Sequence, residues 1–262
     1  MVNPNKIGNV LKDVKKKDGV CLVTQLESDN GFEADYIALR KKEHRLYSDG
    51  IVKTLPDGKA TSQPDEWEMR NRSAKRVMEY FQKKQNAAIL DLGCGTGWFS
   101  AMLANSCNCD VVGVDLNFTE LKQAARVFEK SNLNFVYADV FDWPKINGLF
   151  DFVTINAAIQ YFPDFGKLME RLFFLLKDGG EVHIIDSPFY KKEDVEAAKE
   201  RSQKYYSEMG FGEMADNYFH HPFEVLEGFD FDILYKPGEI TIFNRIFKRK
   251  DIPFPWIRIK KE

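Results

Sequence analysis

Residues 89–100 read ILDLGCGTGWFS, a short apolar run that delivers three glycines, Gly93, Gly95 and Gly97, at every second position. Glycine weakens the interior of a strand or helix, so three of them after a buried-looking segment serve backbone shape or the close approach of something else. In an open α/β sheet, ligands bind beyond the carboxyl ends of the strands. A tight turn there lets backbone amides and a helix N-terminus face a ligand at a distance that a side chain would block. The run therefore predicts a strand, a glycine turn and a helix, with a binding site at the turn.

The flanking pattern agrees with that reading. AAILDL, CDVVGVD, NFVYAD, LFDFVTIN and EVHIID are short runs rich in Val, Ile and Phe, as strands covered on both faces would be. Between several of them lie helical stretches: GWFSAMLANS, then NFTELKQAARVFEKS with Asn117 and Glu120 placed to cap it, then DFGKLMERLFFLLKDGG, stopped by Gly179 and Gly180. Such alternation specifies an α/β fold with a mostly parallel sheet and helices on both faces. SQPDEWEMRNRSAKRVMEYFQ leads into the glycine run as a further helix, with Ser62 and Asp65 in capping-box register and Trp67, Ala74, Val77, Met78 and Phe81 on one face.

Residues 1–61 differ in character and predict a small irregular N-terminal region, with GVCLVTQ and DYIALR as short strands about the turn ESDNG, a possible β-hairpin and a cover for the site. The main domain is then 62–262, with an insertion at about 187–229 and a C-terminal antiparallel strand pair from FDFDILYKPG and PWIRIKK.

The glycine spacing selects among ligands. A dinucleotide site wants G-x-G-x-x-G, which requires glycine at the position of Trp98; the third glycine is Gly97 instead. LDLGCGTG resembles the first motif of class I S-adenosylmethionine-dependent methyltransferases, and the resemblance runs over about residues 86–240 with its elements in order. It implies a Rossmann-like seven-stranded, mostly parallel sheet, S-adenosyl-L-methionine as cofactor and S-adenosyl-L-homocysteine as product. It also implies cofactor contacts at Asp91, Gly93, Cys94, Gly95 and Gly97. Asp91 organises the loop first, capping its amides. Asp115, in VVGVDLN, matches the acidic residue that holds both ribose hydroxyls, with Leu116 after it. Asp139 and Val140, in YADVF, match the adenine position, and Asn156, in FDFVTINAAIQYF, matches the strand end beside the methionine portion. LKDGG at 176–180 resembles the family's LKPGG turn, with Asp178 in place of proline. On the preceding helix, Trp67, Arg70 and Arg72 are candidates to face the cofactor's carboxylate, and Arg70 is the choice among them.

Methyl transfer from a sulfonium is an in-line displacement whose main requirement is alignment. The segment after the fifth strand, the insertion and the fourth-strand loop are expected to build the acceptor pocket, from Tyr161, Asp186, Tyr190, Tyr205, Tyr206, Tyr218, His220 and His221. Of these, His220, His221 and Tyr161 are the expected catalytic residues, a histidine suiting proton removal near neutrality. Adjacent histidines point different ways on a regular element, which argues against a metal site.

The remaining sequence bounds the partners. A net charge of −3 gives no global field for a polyanion, although Lys15–Lys17 and a tail with Arg245, Lys248, Arg249, Lys250, Arg258, Lys260 and Lys261 are locally basic. Amino-directed nucleic-acid methyltransferases place N/D-P-P-Y/F after the fourth strand, where this chain reads NAAI; DSPF at 186–189 follows the fifth strand. A small-molecule methyl acceptor is therefore the expected partner, with a general resemblance to methyltransferases of quinone biosynthesis. An RNA methyltransferase and a non-catalytic S-adenosylmethionine-binding regulatory module stay open as alternatives. Cys21, Cys94, Cys107 and Cys109 lack metal-ligand or framework spacing and read as free thiols. No apolar run approaches the roughly 18 residues of a membrane span, and the polar, basic N-terminus lacks a signal-peptide core, so a cytoplasmic location is expected.

Overall fold

The computed structural model describes residues 6–26, 31–144, 146–238 and 251–262. The N-terminal segment contributes α1 (Lys6–Leu11), β1 (Lys16–Lys17), β2 (Val20–Leu22), α2 (Gly31–Lys42) and α3 (Asp49–Val52). Then α4 (Pro64–Phe81) leads into β3 (Ala88–Leu92), α5 (Trp98–Ser106), β4 (Asp110–Asp115), α6 (Phe118–Val127), β5 (Leu133–Tyr137) and β6 (Phe150–Asn156). The chain closes with α7 (Phe165–Leu175), β7 (Leu176–Ile185), α8 (Val195–Glu208), β8 (Asp230–Tyr235) and β9 (Trp256–Lys260).

Among the described residues the strands form one nine-stranded sheet in the order β1-β2-β5-β4-β3-β6-β7-β9-β8. The expected seven are its body: β5, β4, β3, β6 and β7 run parallel, and β9 and β8 complete the edge antiparallel. Two further strands extend this sheet, β2 from the stretch GVCLVTQ read as a short strand and β1, which was not expected. GVCLV, anticipated as part of a separate hairpin, supplies β2, which pairs parallel with β5 (Cys21 opposite Val136) and carries the two-residue β1 outside it. DYIALR is helical, within α2, which carries Glu33 in its first turn and Arg40, Lys41 and Lys42 in its last, charges that suit the two ends of a helix. The turn expected at ESDNG falls largely outside the described residues, as do Arg245, Lys248, Arg249 and Lys250 of the tail.

The sheet is covered on both faces, which is why its strands read as continuous apolar runs. Leu90 and Leu92 of β3 join a core with Leu168 and Leu172 of α7. Ile89, one residue out of phase, joins the opposite core with Val77 and Phe81 of α4 and Leu103 of α5. On that second face Glu181 accepts from Tyr80 Oη at 2.5 Å and pairs with His183 Nε2 at 3.2 Å, while Trp256 Nε1 donates to His183 Nδ1 at 3.1 Å. The basic residues described in the tail are consumed nearby: Arg258 pairs with Glu181 and Asp232, Lys260 with Asp230 and Asp232, and Lys261 with Asp178.

Several local expectations need correction. α4 begins at Pro64 with no side-chain cap, and Ser62 Oγ donates to the His44 carbonyl instead, because proline at the first helical turn already lacks an orphan N–H. Asn117 does cap α6, accepting the Glu120 amide at 3.0 Å. LKDGG is not a free turn: β7 starts at Leu176, and the register shifts between Phe150 and Phe152 opposite it. Cys107 and Cys109 are joined by a disulfide, their Cα atoms 5.2 Å apart across the turn from α5 to β4, within bonding range. Cys21 and Cys94 are buried free thiols. Among the described residues no helix is long and apolar enough to cross a membrane.

The glycine turn is held by packing as well as by conformation. Gly93, Gly95 and Gly97 have φ of 73°, 51° and 75°. A Cβ on Gly97 would stand 2.6 Å from the Phe135 ring and 2.8 Å from Ala124 Cβ, and one on Gly93 would stand 2.4 Å from Ala158 Cβ. Gly97→Ala is therefore expected to cost about 3 kcal/mol, from left-handed strain plus overpacking, seen as a lowered urea midpoint with an unchanged slope.

Candidate functional site

The carboxyl ends of β3, β4, β5 and β6 open onto three adjoining chambers. An outer chamber of about 400 Å³ is walled by Leu116, Tyr137, Asp139, Val140, Phe162 and others. It shares Gly93, Asp115, Leu116, Ala158, Phe32 and Tyr161 with a middle chamber of about 120 Å³. The middle chamber shares Gly93, Gly95, Glu120, Ala157, Tyr36 and Arg40 with an inner chamber of about 130 Å³, which also meets Trp67, Arg70, Cys94 and Asn156. All three touch Gly93, so the glycine turn is their common floor.

Asp115, at the end of β4, organises this floor. Its Oδ2 accepts the Gly95 amide and its Oδ1 the Asn117 amide, each at 2.8 Å. Burial pushes its carboxyl up against the opposing pull of those amides. The Leu116 amide also pulls on this carboxylate, whose roughly four acceptor sites still exceed these amides and leave capacity for a ligand hydroxyl.

Asp91 corrects an expectation. It does not cap the loop amides: it is 1% exposed and accepts from Ser100 Oγ at 2.5 Å and Thr154 Oγ1 at 2.7 Å, tying α5 and β6 to β3 beneath the turn. The amides of Gly93 and Cys94 go to the Val114 carbonyl instead. Hydroxyls from two flanking elements satisfy the carboxylate, so it has no need of the loop.

The other residues singled out from sequence fall as follows. Leu116 is 45% exposed, an apolar side chain standing between the outer and middle chambers. Asp139 lines the outer chamber while its Oδ1 accepts the Phe141 amide at 2.9 Å, and buried Val140 lies beside it. Asn156 and Trp67 both line the inner chamber, and Asn156 Oδ1 and Trp67 Nε1 are buried without a hydrogen-bond partner. Arg70 is present there too, its Nε donating to Glu66 at 3.0 Å, whereas Arg72 pairs with Glu68 and does not line the chambers. Gly97 is buried and packs between α6 and β5, so it shapes the loop without facing a chamber.

Tyr161 borders the outer and middle chambers, with its ring 6.3 Å from that of Tyr36. Burial raises its phenol above the ordinary range, which keeps it protonated and a hydrogen-bond donor. The two histidines are elsewhere: His220 and His221 line a separate groove with Asp164, Phe165, Lys199 and Glu224. His221 Nε2 meets the Ile159 carbonyl at 3.2 Å, and His220 Nε2 meets Ser202 Oγ at 2.9 Å. Burial lowers both imidazoles below their usual range. Asp186 follows β7 with φ of 51°, accepts from Ser73 Oγ at 2.5 Å, and is pushed up to about 6 by burial. The sequence does not mark Phe32, Tyr36 and Arg40 as site residues: Tyr36 and Arg40 lie in DYIALR, which reads as strand, and Phe32 follows the turn ESDNG. It marks Glu120 only as a helix-capping residue.

A family model described as a methyltransferase domain matches residues 89–180, the span from the glycine-bearing strand to the start of the β7 core. Residues 89–180 are similar to a methyltransferase domain. Trans-aconitate 2-methyltransferase of Deinococcus radiodurans is 32% identical over 125 residues, 46% of this chain and 47% of that protein. Demethylmenaquinone methyltransferase of Listeria welshimeri is 25% identical over 118 residues, 43% of this chain and 50% of that protein. The chain thus spans about half the length of the curated relatives it matches. Phosphoethanolamine N-methyltransferase 2 of Haemonchus contortus, solved in complex with S-adenosyl-L-methionine, superposes with a TM-score of 0.54 at 19% identity, covering 85% of this chain and 60% of that one, a likeness of fold.

The chambers fit S-adenosylmethionine. Asn156 and Trp67 line the inner chamber, and the buried Asn156 Oδ1 and Trp67 Nε1 have no protein partner, an acceptor and a donor of the kinds that an amino acid's ammonium and carboxylate require. Asp115 supplies acceptors for a vicinal diol at the middle chamber, and Leu116 with Val140 supplies apolar surface for a base in the outer one.

Burial pushes the Asp91 carboxyl up to about 6, against the opposing bonds from Ser100 and Thr154. A folded pKa above the unfolded value means that Asp91's contribution to stability is complete below about pH 4 and is lost as pH rises through about 6. Asp91→Asn, which cannot ionise, is expected to gain on wild type by roughly 2 kcal/mol between pH 4 and pH 8, read from urea unfolding of both proteins at each pH.

Proposed function

We propose that the protein is an S-adenosylmethionine-dependent methyltransferase acting on a small-molecule acceptor. One observation carries the reading: the glycine turn floors a continuous line of chambers whose inner end is lined by Asn156 and Trp67, each with a buried side-chain polar atom that has no protein partner, and whose outer end carries Leu116 and Val140. The names of the two relatives above support a small acceptor, as does the absence of an N/D-P-P-Y/F segment at NAAI.

In this reading the cofactor supplies an already activated methyl group, and the chain's residues bind, orient and exclude water. Asp115 holds the ribose hydroxyls, Asn156 and Trp67 hold the amino-acid arm with Arg70 nearby, and Asp139 with Val140 edges the base. Gly93, Gly95 and Cys94 allow close approach. Helix α2 covers the chambers through Phe32, Tyr36 and Arg40, and with Tyr161 it forms the aromatic mouth where the acceptor enters. The insertion at 187–229 closes the same side through Tyr218, whose ring lies 6.1 Å from that of Tyr161. Tyr161 donates a hydrogen bond to the acceptor and positions it for in-line attack. His221 acts through Tyr161, by holding the Ile159–Tyr161 turn. A cytoplasmic setting belongs to this proposal.

Calorimetry is expected to give binding heat with S-adenosylhomocysteine and none with NAD, and Gly95→Val is expected to abolish it by filling the floor shared by the middle and inner chambers. Heat with NAD alone would overturn the reading. Transfer of labelled methyl to a panel of small carboxylic acids, phenols and amines then tests the acceptor class.

For the mouth, Tyr161→Phe is expected to lower kcat/KM by about tenfold, with cofactor affinity unchanged. His221→Ala is expected to lower turnover while leaving the pH profile of the remaining activity in place. A lost acid limb in that profile would instead make His221 the base.

A further inference from the structure

The middle and inner chambers meet at six residues common to both walls: Tyr36, Arg40, Gly93, Gly95, Ala157 and Glu120. Among the described residues Glu120 is the carboxylate at this junction, and Arg40 is the cation. Arg40 is engaged elsewhere. Its Nη1 donates to Glu43 at 3.0 Å and its guanidinium lies 4.8 Å from the centre of the Tyr36 ring.

Glu120 is differently placed. Its backbone amide is taken by Asn117, but its side chain turns back over the glycine loop, with Oε2 3.2 Å from the position a Gly95 Cβ would occupy. The charged groups that face it are Asp115 of β4 and Glu33 and Arg40 of α2. Asp115 has both oxygens on backbone amides, so the two carboxylates have unlike surroundings. Burial and the neighbouring Asp115 push Glu120 up to about 7, the mark of a carboxylate without a compensating cation in contact.

The inference rests on the cofactor reading above. With the amino-acid arm in the inner chamber and the ribose at Asp115, the sulfur that joins them falls at the junction. We propose that Glu120 distinguishes the sulfonium of S-adenosylmethionine from the neutral thioether of S-adenosylhomocysteine, strengthening the hold on the charged cofactor and loosening it once the methyl group has left. In the transfer the acceptor's lone pair forms the new bond to carbon, the carbon–sulfur pair returns to sulfur, and the positive charge at sulfur disappears. The attraction to Glu120 disappears with it, while every contact to ribose, base and amino-acid arm is unchanged. The residue therefore couples the chemical step to product release.

The test measures the dissociation constants of S-adenosylmethionine and S-adenosylhomocysteine side by side, at pH 8, for wild type, Glu120→Gln and Glu120→Asp. Glu120→Gln, of equal size but without charge, is expected to weaken S-adenosylmethionine by about tenfold and to leave S-adenosylhomocysteine within about twofold. Glu120→Asp keeps the charge and is expected to hold the ratio of the two constants within about threefold of wild type. A cofactor analogue with a protonated amine in place of the sulfonium is expected to follow S-adenosylmethionine. Equal losses for both ligands in Glu120→Gln would make Glu120 a hydrogen-bonding or structural residue and overturn the proposal, as would no loss for either. Binding of neither ligand by wild type would overturn the cofactor reading itself.

Discussion

Asp115 joins two loops that would otherwise be independent. One oxygen takes the amide of Gly95 in the turn after β3, and the other takes the amide of Asn117 at the cap of α6. The turn cannot shift without losing a charge-assisted bond, and α6 cannot start elsewhere without uncapping. Beneath this bridge, Asp91 binds Ser100 and Thr154 and fixes the helix and strand that flank the turn. Two carboxylates at the ends of adjacent strands thus set the floor from above and below, and the chambers follow from it.

The three glycines divide the work of that floor. Gly97 is confined by the Phe135 ring and Ala124, and Gly93 by Ala158, so both are demanded by the packing of neighbouring elements. Gly95 meets only a flexible carboxylate within contact range, and it faces the two inner chambers. Their spacing therefore records two different constraints, one on the protein's interior and one on a ligand's approach.

What the sequence made legible followed from local periodicity. The five parallel strands, their helices and the antiparallel pair stood where the apolar runs put them, and the residues grouped at the strand ends by motif do line the chambers, with Asp91 and Gly97 the exceptions. What it hid depended on contacts distant in sequence. Tyr36 and Arg40 reach the site only because α2 lies against it, an arrangement no local pattern encodes. Glu120 at a helix's first turn reads as an ordinary capping residue until Gly95 is seen beneath it. The histidine pair drew notice for its chemistry, yet the backbone of the insertion carries both rings into another groove. Ser62 looked like a cap because the pattern does not register that Pro64 has already removed a donor.

Phe32, Tyr36 and Arg40 lie outside residues 89–180, the span matched by the family model, yet they wall the chambers at the glycine turn. The matched span and the N-terminal helix α2 thus face one another across the chambers. A compound that rested on the glycine floor alone would meet surfaces shared by many proteins of this kind. One that also reached the rings and guanidinium of α2 would meet a wall outside the matched span, and selectivity in an inhibitor would be sought in that second contact.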